Sequence, residues 1–122
     1  MIIGIGCDLT ETARMAAALR KDGFAERVFT ERERKACTGA HAVEHYAARF
    51  AAKEALLKAL GTGLRDGSLQ EMETVNDALG KPVLTVTGRL RERLDALGVG
   101  RIHVTLSHTR ETAMAVVVLE GH

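Results

Sequence analysis

Proline occurs once, tryptophan is missing and cysteine occurs twice in 122 residues, and each scarcity removes a class of protein. Cys7 and Cys37, far apart in the chain, make neither a disulfide framework nor a zinc knuckle, which fits structural thiols in a reducing cytosol. Three phenylalanines and one tyrosine leave little surface for stacking bases. A formal net charge of +1 supplies no global field for a polyanion, so nucleic acid is not an expected partner. The apolar start, Met1 to Cys7, has no basic leader and meets a charge at Asp8, too soon for a signal peptide or a membrane span. The expectation is therefore a cytoplasmic protein that does not enter a membrane. What is present is 46% hydrophobic and 27% charged residues, enough for one domain over 1–122 that buries its core without staples.

Periodicity predicts the elements. Ile2 to Cys7 reads as a buried strand with Ile3, Ile5 and Cys7 on one face and Gly4, Gly6 and Asp8 on the other, where the missing side chains let another backbone approach. Thr10 or Thr12 is placed to cap a helix running to about Lys21 and stopped by Gly23. Thr30 and Glu33 have capping-box spacing ahead of a short helix, Glu31 to Cys37. A long helix follows from about His41 to Leu60. Beyond Gly63, Leu69–Val75 and Val83–Thr87 read as strands around a turn with Gly80 and the single proline, Pro82. Leu90, Leu94 and Leu97 mark a short amphipathic helix, and Ile102 to Ser107 alternates as a strand. The last strand, Thr112 to Leu119, is apolar at nearly every position, which predicts cover on both faces. The fold class expected is α+β, an antiparallel sheet with a long central helix and shorter helices.

The long helix carries the chemistry. At roughly 100° per residue, Val43, Tyr46, Ala47, Phe50, Leu57 and Gly61 share a face, and Glu54 falls within that apolar stripe. An ionised carboxylate there needs a cation. Lys53 and Lys58 flank the stripe on opposite sides, so the wheel aims two amines at whatever Glu54 faces. Glu54 and Lys58 also stand at i and i+4, the spacing of an ordinary exposed salt bridge. Asp8 at a strand end and Glu54 on a helix are hard oxygen ligands of the kind Mg²⁺ takes while keeping waters and substrate phosphate. The His41-Ala42-Val43-Glu44-His45 spacing matches inverted zinc proteases, but no third ligand suggests itself, and it reads as a solvated helix start. Gly61-Thr62-Gly63 serves equally as a C-cap or as a phosphate cradle. His108, where the pattern predicts a hairpin turn, either binds a ligand phosphate or hydrogen-bonds the turn.

Gly4-Ile5-Gly6-Cys7-Asp8, the run Arg49 to Gly63 with its Phe50-Ala51-Ala52-Lys53-Glu54-Ala55-Leu56-Leu57-Lys58 core, Asn76-Asp77 with Gly80-Lys81-Pro82, and Ser107-His108-Thr109 together resemble holo-(acyl-carrier-protein) synthase, the short trimeric type of the 4′-phosphopantetheinyl transferase superfamily. The likeness runs from end to end. It implies transfer of 4′-phosphopantetheine from coenzyme A to a serine of apo acyl carrier protein, with release of adenosine 3′,5′-bisphosphate, in support of fatty acid biosynthesis. The resemblance assigns Mg²⁺ to Asp8 and Glu54, phosphate contacts to Lys53 and Lys58, with Lys58 on the leaving side, and a nucleotide pocket to Arg49, Gly61, Thr62 and His108. Glu54 or a metal-bound water is the general base. A homotrimer with active sites between subunits is implied, as is docking of the acidic carrier helix on Arg14, Arg20 and Lys21. The chain departs from the family around Lys35 to His45, so the histidines there inherit no role. Two rival readings use the same residues: a metal-dependent pyrophosphohydrolase, which would hydrolyse coenzyme A without carrier protein, and a non-catalytic carrier-binding module, which would tolerate Glu54→Gln.

Overall fold

A computed structural model describes residues 1–122. In chain order the elements are β1 (Ile2–Glu11), α1 (Thr12–Leu19), α2 (Phe24–Val28), α3 (Glu31–Ala36), α4 (Ala42–Leu60), a 3₁₀ turn (Leu69–Glu71), β2 (Met72–Asn76), β3 (Pro82–Val86), α5 (Gly88–Ala96), β4 (Val99–His108) and β5 (Thr112–Gly121). β1, β5 and β4 form an antiparallel sheet in that order, and β2 and β3 pair as a separate antiparallel hairpin. The α+β class and the long central helix are as expected.

α4 lies directly on the sheet because two positions on β1 lack side chains. A Cβ at Gly4 or Gly6 would run into the carbonyl oxygens of Ala59 and Ala55, so these glycines permit a close approach no other residue allows. Ala51, Ala52, Ala55 and Leu56 of α4 then share a core with Val117 and Leu119 of β5, and with Leu90 and Leu94 of α5. Each of those two leucines, fully removed from solvent, is worth about 1.5–3 kcal/mol. A second cluster centred on Phe29 gathers Met15, Ala47, Ala48 and Ala113. The Thr30–Glu33 capping box forms as predicted, with both reciprocal bonds present.

Four expectations are corrected. β1 runs on through Glu11, so Thr10 lies in the strand, Thr12 is the first residue of α1 with its hydroxyl donating to the Arg110 carbonyl at 2.6 Å, and Glu11 at the N-cap position makes no side-chain cap. α1 stops at Leu19, and Gly23 opens an unforeseen short helix, α2. Leu69–Glu71 is a 3₁₀ turn, so the strand there starts at Met72. Most consequentially, only one face of the sheet is covered within the chain. Ala113, Ala115, Val117 and Leu119 are buried against α4, whereas Ile5, Leu9 and Met114 on the opposite face are exposed and Val116 and Val118 half-buried. β1 is therefore not the buried strand expected. Cys7 is exposed on that open face, while Cys37 is buried and its thiol is pushed up to about 11 by desolvation.

Candidate active site

Asp8 and Glu54 meet where β1 crosses the middle of α4. Asp8 follows Gly4 and Gly6 on the helix-facing side of β1, and its Oδ1 accepts from Lys58 Nζ at 3.1 Å. The Thr10 hydroxyl donates to Oδ2 at 3.4 Å. Glu54 is half-buried and makes no ion pair. Burial pushes its carboxyl above the ordinary range, the charge of Asp8 pushes it further, and only Lys58 pulls it down. The corner thus holds two carboxylates and one amine, with Glu54 left short of positive charge.

Glu54 also lines two adjoining cavities and is the one residue they share. The first, about 350 Å³, is walled by Asp8, Arg14 and the apolar side chains of Met15, Phe24 and Phe50. The second, about 570 Å³, is walled by Lys58, Leu57, Leu64 and Leu69 together with Gly61 and Gly63. The predicted stripe of Phe50, Glu54, Leu57 and Gly61 is the ridge between them. Gly61 ends α4 in the left-handed region at φ 82°, a conformation that favours glycine.

Lys53 requires a correction, since it does not point into this corner. Its side chain is fully buried beneath Phe29 and ion-paired at 2.8 Å with Glu33, itself fully buried. Lys53 Nζ also donates to the carbonyls of Leu69, at 2.8 Å, and Met72. Glu33 in turn accepts from the backbone N–H groups of Thr30 and Thr74, both at 3.0 Å. Every proton of the amine has an acceptor inside the protein, which leaves nothing for a substrate phosphate. Burial lowers the Lys53 pKa, and Glu33 opposes that shift.

Arg49 and His108 are not brought to the Asp8–Glu54 corner either, and neither lines its two cavities. Arg49 is buried, with Nε donating to the Thr74 carbonyl at 3.2 Å and an outer nitrogen to the His45 carbonyl at 3.3 Å. His108, at the end of β4, stacks edge-on to His45 with ring centroids 6.3 Å apart. Desolvation and the Arg49 charge hold His45 below its usual pKa. His41 is turned away to Glu44, Nδ1 to Oε2 2.8 Å. Thr62 is exposed, and its hydroxyl oxygen accepts from Arg93 at 3.0 Å. Of the three cations expected to dock the carrier protein, Arg14 lines the first cavity, while Arg20 and Lys21 are exposed just past the end of α1.

Residues 4–117 match the family model described as the 4′-phosphopantetheinyl transferase superfamily. A holo-[acyl-carrier-protein] synthase of Geobacter sp. (strain M21) is 48% identical, over 98% of this chain and 99% of the relative. The chain belongs to the 4′-phosphopantetheinyl transferase superfamily. Solved members of this superfamily superpose closely. The holo-(acyl-carrier-protein) synthase of Bacillus anthracis in complex with CoA (3′,5′-ADP) has a TM-score of 0.83 at 40% identity, covering 100% of this chain and 99% of that one. The synthase of Neisseria meningitidis has a TM-score of 0.88 at 35% identity, covering 98% and 99%. The transferase-like fold is thereby shared over the whole length.

Sequence reasoning missed Glu33, Phe24 and Arg93. Glu33 was visible only as half of a capping box, yet the Oε1 that caps α3 also pairs with Lys53 while Oε2 accepts from the Thr74 N–H. Nothing in the spacing announces that second use.

Proposed function

We propose that this chain is a holo-(acyl-carrier-protein) synthase that moves 4′-phosphopantetheine from coenzyme A to a serine of apo acyl carrier protein, with Mg²⁺ held by Asp8 and Glu54. The observation that carries the reading is the shared ridge: Glu54, short of positive charge, stands between two cavities beside Asp8 and Lys58. Two carboxylates and no third protein ligand suit an ion that completes its shell with water and phosphate oxygen. When bound, the ion would neutralise charge on the diphosphate.

The protein's own residues divide the remaining work. The donor diphosphate lies in the cavity walled by Lys58, Gly61 and Gly63, and the carrier serine enters from the Arg14 side. The serine hydroxyl gives its proton to Glu54 or to a water, its oxygen attacks the phosphorus nearest the pantetheine, the bond from that phosphorus to the bridging oxygen breaks, and adenosine 3′,5′-bisphosphate leaves with that oxygen. Lys58, more than half exposed, is free to swing from Asp8 to the leaving phosphate. Holding both reactants across one ridge converts the encounter into a positioned displacement.

Residues 1–122 act as one domain, in the cytoplasm and in support of fatty acid biosynthesis; no helix is long and apolar enough to cross a membrane. A homotrimer is the assembly this reading requires. The open sheet face of Ile5, Leu9, Met114, Val116 and Val118 gives copies an apolar surface to bury. Arg49 and His108, which miss the two cavities of the Asp8–Glu54 corner, would then line the nucleotide pocket from a neighbouring subunit. Mass spectrometry of apo carrier protein after mixing with the enzyme, coenzyme A and Mg²⁺ tests the function. Addition of the phosphopantetheine mass, abolished by chelator, is expected; hydrolysis of coenzyme A without carrier modification would replace this reading with a pyrophosphohydrolase.

A further inference from the structure

Few hydrogen bonds hold the loop Gly61–Gly63. Gly61 and Gly63 both sit at positive φ, 82° and 70°, and two glycines in one short turn carry a large unfolded-like freedom. Backbone bonding is sparse beyond the Gly61 N–H, which donates to the Leu57 carbonyl at 3.0 Å. Yet this loop forms part of the wall that faces Lys58 and Glu54.

One side chain restrains it. Arg93 on α5 donates through one outer nitrogen to the Thr62 hydroxyl oxygen at 3.0 Å and through the other to the Gly63 carbonyl at 2.7 Å. No other side-chain hydrogen bond reaches residues 61–64. Its Nε is buried without a partner, so the guanidinium is held by these two bonds alone. A planar fork of this kind satisfies two acceptors at fixed separation, which a lysine cannot do. Because Thr62 accepts, its hydroxyl proton stays free for an anionic oxygen.

α5 is itself anchored. The Glu71 carboxylate accepts from the Leu90 N–H at 3.1 Å, and the Thr87 N–H donates to the Glu71 carbonyl at 2.8 Å. Leu90 and Leu94 are fully buried on either side of the Arg93 turn. The helix is therefore a rigid strut with Arg93 at its reach, and Arg93 lines neither cavity.

We propose that Arg93 is a positioning residue for the donor substrate: from α5 it clamps Thr62 and Gly63, and so sets the loop that closes the diphosphate cavity beside Lys58. The inference rests on the phosphopantetheinyl-transfer reading. Wild type, Arg93→Ala, Arg93→Lys and the control Arg91→Ala, which breaks the Arg91–Asp95 pair on the same helix, are compared in steady-state transfer with varied coenzyme A. Hydrogen exchange at residues 61–64 is measured alongside without substrate.

Arg93→Ala should raise KM for coenzyme A about tenfold with kcat within about twofold, the signature of lost substrate binding. Exchange at 61–64 should accelerate in the same variant. Arg93→Lys should fall between, and Arg91→Ala should match wild type in both readouts. Unchanged KM and unchanged exchange in both Arg93 variants would overturn the proposal, and so would an equal KM rise in Arg91→Ala, which would reveal general weakening of α5. If Arg93→Ala does not fold, Arg93→Lys alone decides on the same criteria. A wild type that transfers nothing fails the functional reading instead, and the exchange comparison still judges the clamp.

Discussion

Lys53 and Glu54 are neighbours on α4 and live in opposite electrostatic conditions. Lys53 is fully buried, and Glu33 with two backbone carbonyls satisfies every proton of its amine. Glu54, one step around the helix, is half-buried beside another carboxylate with no ion pair. The first region is closed: its charges cancel inside the chain and fasten α3, α4 and β2 together. The second is open, because its imbalance can be cured only by something from outside. Charges that stabilise a fold are matched within it, whereas charges that act on a substrate are left partly unmatched.

Removing one partner in the closed region should have the largest effect on stability. Lys53→Met or Glu33→Ala leaves a buried charge uncompensated, at a cost of about 3–5 kcal/mol. Thermal unfolding should show that loss, and the joint Glu33→Leu/Lys53→Met replacement should recover part of it. Recovery stays incomplete because the Thr74 N–H loses its acceptor. A single variant that melts like wild type would erase the contrast between the regions.

In the open region the order of effects reverses. Glu54→Gln should lower kcat for transfer by about 100-fold or more, while its melting temperature stays at or above that of wild type. A smaller effect follows from pH. Since burial and Asp8 raise the Glu54 pKa above its ordinary 4.5 in the folded protein, the native state holds its proton to higher pH than the unfolded chain does. Stability from this group is full below the ordinary value and declines as pH rises through the raised one. Denaturant unfolding of the metal-free protein across that window should therefore show a negative slope in wild type that Glu54→Gln flattens. Smallest are the rim changes: Arg14→Ala, Arg20→Ala and Lys21→Ala combined should raise KM for carrier protein a few-fold and weaken its salt dependence.

The contrast also marks what the sequence could disclose. A helical wheel orders Phe50, Glu54, Leu57 and Gly61 on one ridge, and they line the cavities as that angle requires. Gly4 and Gly6 announced a close backbone approach, and α4 supplies it. The same wheel aimed Lys53 at the site because an angle says nothing of what stands opposite. Glu33 arrives there through the packing of α3, a tertiary fact with no local signature. Arg93 reaches Thr62 from another element for the same reason. The open sheet face escaped notice because a strand apolar on both sides reads alike whether its own chain or another copy covers it.

On the proposed function, Asp8 and Glu54 are left short of positive charge so that they hold a divalent cation. Calorimetric titration of Mg²⁺ into wild type, Asp8→Asn and Glu54→Gln, each with coenzyme A at fixed concentration, tests it most directly. One Mg²⁺ per chain in wild type and none in either variant, with all three folded, is the predicted result. Undiminished binding in Glu54→Gln, or none in wild type, would contradict the account.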